Sequence, residues 1–250
     1  MNMKSAESIT TRRFPFSEEE MADAFARLLT RDKALPGVGR LSRVFREVDC
    51  QRGRADFVAL AHETARFLSG RSVTVKHAGS LIMSFLHERA PRSLVYLCKH
   101  SGLSIRTVKS AIDELVEGEY VLRTESGSYL LNAERSFRQV QVWAFELKLD
   151  KPRRAVFQAQ QYRSFAQGVL VVVPPEQVVL YDKFKLAMRR WGIGLASFDP
   201  LTEAFSVERP PRIGCPHSRH HQAYALFQLL GNHASRTTNG ASTCGEIARG

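Results

Sequence analysis

The sequence predicts an α/β protein in which a mixed β-sheet is flanked by helices and interrupted by a second, mainly helical block. Three observations support this fold class. An early pair of strand-like segments, 41–50 and 54–60, is joined by a short turn at 51–53. From position 142 onward, strand-like and helix-like segments alternate, as they do in a sheet covered by helices. Between these parts, residues 71–135 carry apolar side chains mainly at helical spacing.

The charge of the chain indicates a polyanionic partner. Its 250 residues include 36 Lys and Arg against 25 Asp and Glu, a formal net charge of +11. Hydrophobic residues make up 44%, which is ordinary for a globular protein. Since the basic excess is not ordinary, we expect nucleic acid to be the partner, with a merely basic surface as the alternative.

The sequence also argues against a membrane or secreted protein. No apolar run approaches the roughly 20 residues needed to span a bilayer. The first 16 residues lack the apolar core of a signal peptide. The four cysteines are scattered without CxxC spacing, so we expect reduced thiols and a cytoplasmic location.

The first half of the chain opens with a helix. Ser17 and Glu20 form a capping-box pattern ahead of apolar residues at helical spacing. Glu20 therefore has a structural explanation, and a metal-assisting role is the alternative. Further on, Asp56 lies inside the apolar strand 54–60, as either a displaced turn residue or a ligand. Residues 61–68 are predicted to form another helix.

The central block has a distinct pattern. Helices are predicted at 78–89, from Pro91, and after the N-cap Ser104, followed by two strands around a turn at 126–127. The buried stripe of the helix after Ser104 is predicted to contain Ile105, Val108, Ile112 and Leu115. The outward residues near its start are Arg106, Thr107, Lys109 and Ser110.

This block resembles a winged helix-turn-helix domain over about 60 residues. The resemblance implies that the helix after Ser104 is a recognition helix that enters the major groove of duplex DNA. Ser104, Arg106, Thr107, Lys109 and Ser110 would then lie at the DNA. Arg123, near the wing, would grip the DNA backbone. The alternative is a winged helix used for protein docking or dimerisation.

The strand 141–150 carries an unusual charged pair. Side chains alternate along a strand, so Glu146 and Lys148 share a face with Val142 and Ala144. The opposite face, which contains Trp143, is apolar. Because burying charges is costly without partners, the pair is either a salt bridge on a partly exposed face or part of a metal and phosphodiester site.

The ordered set of Asp56, Glu146-Leu-Lys148 and the helical Gln158-x-x-x-Tyr162 resembles the PD-(D/E)xK nuclease superfamily, especially its RecB-type branch. The resemblance implies a restriction-endonuclease-like mixed sheet. Two features depart from the family pattern. No proline precedes Asp56, and about 90 residues separate Asp56 from Glu146. The winged-helix block fills that gap.

The resemblance implies a chemistry for these residues. Asp56 and Glu146 would coordinate Mg²⁺ or Mn²⁺, and Lys148 would stabilise developing negative charge. Gln158 and Tyr162 would orient the metal ligands or the DNA. At the start of the helix that follows the strand, Lys151, Arg153 and Arg154 are candidates for phosphate contacts, with a solvated basic turn as the alternative.

The predicted organisation is a nuclease-like core in two parts, 14–70 and 136–231, an inserted winged helix at 71–135, and a flexible tail at 232–250. The predicted function is that of a metal-dependent DNA endonuclease acting on double-stranded DNA. A non-cleaving DNA-binding transcriptional regulator is the main alternative, and an RNA-directed or protein-docking adaptor is a third. Cutting both strands with one site per chain requires a homodimer or two encounters.

Overall fold

A seven-stranded mixed sheet runs through the middle of the protein. This computed structural model describes residues 14–31, 34–61 and 75–239. The strands are β1 (Ala34–Leu35), β2 (Gly39–Asp49), β3 (Arg54–Ala61), β4 (Val121–Arg123), β5 (Tyr129–Leu131), β6 (Val142–Leu147), β7 (Gly168–Val173), β8 (Gly194–Asp199) and β9 (Ala204–Arg209). The helices are α1 (Glu18–Arg31), α2 (His77–Phe85), α3 (Leu94–Ser101), α4 (Ile105–Glu117), α5 (Pro152–Tyr162), α6 (Lys185–Trp191) and α7 (Arg219–Asn239), and the segments Ala133–Arg135, Phe137–Gln139 and Pro175–Phe184 form 3₁₀ turns.

The strand order of the large sheet is β1-β2-β3-β6-β7-β8-β9, while β4 and β5 form a separate hairpin. Strands β1, β2, β3 and β6 pair antiparallel in that order. Strands β6, β7 and β8 are parallel, and β9 is antiparallel to β8. Helix α5 connects β6 to β7, as a parallel connection requires. The predicted α/β class with a mixed sheet flanked by helices is therefore confirmed.

Both faces of the central strand β6 are buried. Trp143, Phe145 and Leu147 belong to the apolar cluster under α1, as the alternating pattern predicts. Val142 and Ala144 belong to a second cluster on the opposite face. Glu146 continues this second face and is fully buried. A partly exposed sheet face, the alternative for the Glu146 and Lys148 pair, is therefore excluded.

Helix α1 covers one face of the sheet and begins with the predicted capping box. The Ser17 amide donates to Glu20 Oε2 at 2.7 Å, and the Glu20 amide donates to Ser17 Oγ at 3.1 Å. The ring of Phe25, on the buried side of the helix, contacts four other phenylalanine rings at centroid distances of 5.3–6.0 Å: Phe57, Phe145, Phe198 and Phe205. These contacts fix α1 across the strands that carry Asp56 and Glu146.

The central block consists of α2, α3, α4 and the β4–β5 hairpin. Ser104 caps α4 by accepting a hydrogen bond from the Thr107 amide at 3.2 Å. Gly102 ends α3 with φ of 68°, a conformation that suits glycine. The buried residues of the central block belong to the same apolar cluster as those of one face of the sheet. The block therefore packs directly on the sheet.

The sequence prediction for Ile105 is wrong. This residue is 58% exposed, whereas Val108, Ile112 and Leu115 are buried as predicted. Ile105 is the first residue of α4, and all of residues 104–107 are exposed. Ala111 completes the buried stripe in its place.

Other differences lie toward the C-terminus. The segment predicted as one helix, 177–191, is a 3₁₀ stretch followed by the short α6. Helix α7 continues to Asn239, so 232–239, predicted to be flexible, is helical. One internal glycine, Gly231, costs a helix only about 1 kcal/mol, which explains why it does not end there. The helix predicted at 61–68 lies almost entirely outside the described residues. Among those described, no helix is long and apolar enough to cross a membrane.

Candidate functional site

Asp56 and Glu146, 90 positions apart in sequence, lie side by side on neighbouring strands. Strands β3 and β6 pair Phe57 with Phe145, so the next residues outward, Asp56 and Glu146, are cross-strand neighbours on one face. Asp56 Oδ2 accepts a hydrogen bond from the Leu147 amide at 2.7 Å. Burial raises the pKa of Asp56, and this hydrogen bond and the charge of Lys148 only partly oppose the effect.

Lys148 directly follows β6, the strand that carries Glu146, and is only 9% exposed. Its Nζ lies 2.7 Å from Glu18 Oε1 and 3.1 Å from Glu146 Oε1, and donates to the Leu147 carbonyl at 2.9 Å. Burial alone lowers the pKa of this ammonium, but the attraction of Glu146 and the hydrogen bond to Glu18 outweigh it, so the pKa is raised. Lys148 is therefore cationic at neutral pH.

Glu146 is held by Tyr162, one of the predicted site residues. The Tyr162 hydroxyl lies 2.5 Å from Glu146 Oε2 and 2.9 Å from the Arg54 carbonyl oxygen. The hydroxyl has one proton, and the Arg54 carbonyl can only accept a hydrogen bond. If Tyr162 donates its proton to Arg54, the contact with Glu146 is a hydrogen bond only when Glu146 is protonated and donates to Tyr162. Burial, followed by repulsion from Asp56, raises the pKa of Glu146 to about 7. Both observations indicate a carboxyl group that readily holds a proton.

The raised pKa of Glu146 makes the stability of the metal-free protein depend on pH. A group that binds its proton more tightly in the folded state stabilises the fold fully below its unfolded pKa, near 4.5. This contribution is lost as pH rises through the folded pKa, near 7. We therefore expect the free energy of unfolding of wild type, relative to Glu146→Gln, to fall by about 3 kcal/mol between pH 4.5 and 8. Urea unfolding in EDTA measures this difference, and a constant difference would contradict the assignment.

Gln158 lies one turn before Tyr162 on α5 but makes no hydrogen bond to the acidic pair. Its Oε1 is buried, and within the described part of the chain it has no hydrogen-bond partner. The same is true of Glu146 Oε1, whose 3.1 Å contact with Lys148 is an ion pair without hydrogen-bond geometry. Two buried oxygens that lack donors are thus found at and beside the acidic pair.

Glu18 is a site residue that the sequence did not reveal. Its carboxylate binds Lys148 Nζ from the first turn of α1, whereas Glu20, the glutamate considered from the sequence, is occupied in the capping box. Three consecutive glutamates begin this helix. Sequence alone does not specify which of them faces the sheet, because that depends on how the helix packs.

The neighbouring glutamates offer a matched test of Glu18. Glu18 contacts Lys148, while the adjacent Glu19 is exposed and forms no described ion pair. If the site cleaves DNA, Glu18→Gln is expected to slow cleavage about 10- to 100-fold by releasing Lys148 from its position. Glu19→Gln is expected to stay within twofold of wild type. Equal rates for the two variants in a plasmid cleavage assay would show that Glu18 has no role in cleavage.

Tyr181 is a second residue that the sequence did not indicate. Its side chain is 1% exposed, and its hydroxyl has no hydrogen-bond partner among the described residues. Burial and then the charges of Glu146 and Asp150 raise the pKa of this hydroxyl. The 3₁₀ segment that carries Tyr181 packs against α5, the helix that carries Gln158 and Tyr162.

The carboxylate oxygens of Asp56 and Glu146 are suitable ligands for a hard divalent cation that keeps most of its bound water. Within the described ranges, no group of three or more His, Cys, Asp or Glu side chains is arranged to hold a metal ion. Mg²⁺ is commonly bound through one or two carboxylates, with water and substrate phosphate completing its shell. Asp56 and Glu146, whose Oε1 is ion-paired with Lys148 but accepts no hydrogen bond, match that smaller requirement.

The residues predicted to contact DNA lie on two surfaces. At the start of α4, the side chains of Ser104, Arg106, Thr107, Lys109 and Ser110 are all exposed, as is Arg123 on the hairpin. Arg106, Thr107 and Ser110 also line a groove of about 280 Å³ together with Lys76. Lys151, Arg153 and Arg154 are exposed at the start of α5, a few residues after Lys148.

Comparisons of the chain with protein families, curated proteins and solved structures found no match.

Proposed function

We propose that this protein is a metal-dependent DNA endonuclease of the PD-(D/E)xK type, positioned on duplex DNA by a winged-helix block. The observation that supports this most strongly is the placement of Asp56, Glu146 and Lys148. Two carboxylates on adjacent strands and a buried ammonium lie together, although 90 positions separate the two acids. Clusters of buried ionisable groups with shifted pKa values are typical of active sites.

In this proposal Asp56 and Glu146 hold Mg²⁺ or Mn²⁺. When bound, the metal lowers the pKa of a coordinated water and offsets charge at the scissile phosphate. Lys148, held between Glu18 and Glu146, stabilises the negative charge that develops on the phosphate oxygens. Tyr162 fixes the orientation of Glu146 through its 2.5 Å contact. Gln158 has a free buried oxygen and would orient a ligand or the DNA strand.

The DNA-binding part of the proposal rests on α4 and the hairpin. Helix α4 has a cap at Ser104, a buried stripe and an exposed polar and basic face. These features are typical of a recognition helix that lies in the major groove. Arg106 and Lys109 would contact bases or phosphates, and Arg123 would contact the backbone. The net charge of +11 favours such binding.

One observation favours a second function, that of a DNA-binding regulator that does not cleave. The Lys148 ammonium contacts both Glu146 and Glu18, so the charged side chains satisfy one another without a metal. Such a network is also compatible with a purely structural role.

A plasmid cleavage assay distinguishes the two functions. With Mg²⁺ or Mn²⁺ we expect supercoiled plasmid to become nicked or linear, and no cleavage in EDTA or with Lys148→Ala. Binding is followed in parallel by mobility shift. Tight DNA binding without cleavage under either metal would support the regulator. Direct appearance of linear product, without a nicked intermediate, would indicate that a homodimer cuts both strands.

A further inference from the structure

A cationic pocket with aromatic walls lies at the start of α5. Its volume is about 600 Å³, within the range of pockets that hold small organic ligands. Four cations, two aromatic rings and a proline line it, and no acidic residue does: Lys151, Arg153, Arg154, Lys183, Phe157, Phe184 and Pro152. The lining thus combines positive charge with flat apolar surface.

The cations of this pocket are available to a ligand. In the described part of the chain, none of the four forms an ion pair with a carboxylate. The acidic neighbour of Lys183, Asp182, is engaged elsewhere, since its Oδ1 accepts a hydrogen bond from Arg209 at 2.5 Å. Phe157 is 59% exposed, so its ring is presented to solvent and is not part of the core. The alternative for these basic residues, a solvated basic turn, does not explain why an aromatic ring is exposed beside them.

The pocket is connected to the acidic site by two elements. Lys151 follows Lys148 by three residues at the end of β6. The 3₁₀ segment carries Phe184 in the pocket wall, and the Phe184 ring lies 6.4 Å from that of the buried Tyr181. The pocket is therefore lined by the segments of chain that directly follow Lys148 and Tyr181.

We propose that this pocket binds an unpaired nucleotide of the DNA substrate. The base stacks on Phe157, and neighbouring phosphates contact Lys151, Arg153, Arg154 and Lys183. Aromatic stacking combined with cations along the backbone is how proteins bind single strands without reading their sequence. Bases in an intact duplex are already stacked on one another and do not reach such a ring. Building on the proposed function, this predicts a substrate with an overhang, flap or other single-stranded segment.

Fluorescence anisotropy in EDTA tests the proposal on the full chain without any cleavage. The probes are a labelled oligothymidylate and a blunt duplex. Phe157→Ala is expected to weaken single-strand binding about tenfold, because one base loses the ring on which it stacks, and to leave duplex binding within twofold. Arg154→Ala is expected to reduce the salt dependence of single-strand binding by about 0.7 in log–log slope.

Leu186→Ala is the matched control, because Leu186 is 81% exposed on the adjacent α6 and does not line the pocket. We expect it to bind both probes like wild type. Unchanged single-strand affinity in Phe157→Ala, or an equal loss for both probes, would overturn the proposal. Because binding is measured without metal, a chain that fails to cleave plasmid could still pass this test, and a nuclease could fail it.

Discussion

Replacing Glu146 with glutamine is expected to slow plasmid cleavage by on the order of 10³-fold, or about 4 kcal/mol of transition-state free energy. Glutamine has nearly the volume of glutamate, so the fully buried side chain keeps its packing. Its amide also keeps a hydrogen bond to the Tyr162 hydroxyl, as either donor or acceptor. The negative charge is lost, however, and with it the carboxylate that the proposed metal requires.

Three measurements make this result specific. Glu19→Gln, the same change at an exposed position, is expected to cleave like wild type. DNA binding by Glu146→Gln is expected to stay within about twofold, because the exposed face of α4 is unaltered. Urea unfolding should show an intact fold. Cleavage by Glu146→Gln at a rate near that of wild type would show that the acidic pair is not the active site.

The strand pattern allowed much of this site to be predicted, because alternation along β6 follows directly from backbone geometry. The sequence placed Glu146 and Lys148 on one face, and the structure shows both buried there. Tyr162 was assigned to the site by the family resemblance, and it contacts Glu146. Asp56 was linked to Glu146 only by resemblance. Its position depends on the pairing of β3 with β6, which no local pattern specifies.

What sequence reasoning missed depends on tertiary packing. Glu18 was overlooked because the rotation of α1 about its axis, set by Phe25 and its neighbours, decides which glutamate faces Lys148. Tyr181 was overlooked because its segment was interpreted as an α-helix, whereas a 3₁₀ backbone places side chains in different directions. Strand β9 was not predicted either. It is an edge strand whose alternating exposure gives a weak apolar signal.

The helical block shows a related limit. Its caps and turns were predictable from Ser104 and Gly102, because these are local features. The way in which the block packs on the sheet was not predictable from such local features. Buried residues of α2 and α4 join those of β3 and β6 in one apolar cluster, including Ile82, Ile112 and Val58. A block packed in this way holds α4 in a defined position relative to the acidic pair.

Replacing Phe25 with alanine is expected to lower the free energy of unfolding by about 3–5 kcal/mol. The ring is fully buried and contacts four phenylalanines that lie on or beside the sheet. Its removal leaves a cavity between α1 and the sheet that rigid strands fill poorly. The same substitution at the 59% exposed Phe157 is the control, expected to change stability by no more than about 0.5 kcal/mol.

Phe25→Ala also tests how the fold supports the site. If packing of α1 fixes Glu18 against Lys148, then protein that remains folded at low temperature should cleave more slowly, by a factor similar to that for Glu18→Gln. Combining the two substitutions should then add little further loss of rate, because both act through the same contact. Fully multiplicative losses would show that Glu18 holds Lys148 independently of how α1 packs. A stability loss as small as that of Phe157→Ala would contradict the position of α1 itself.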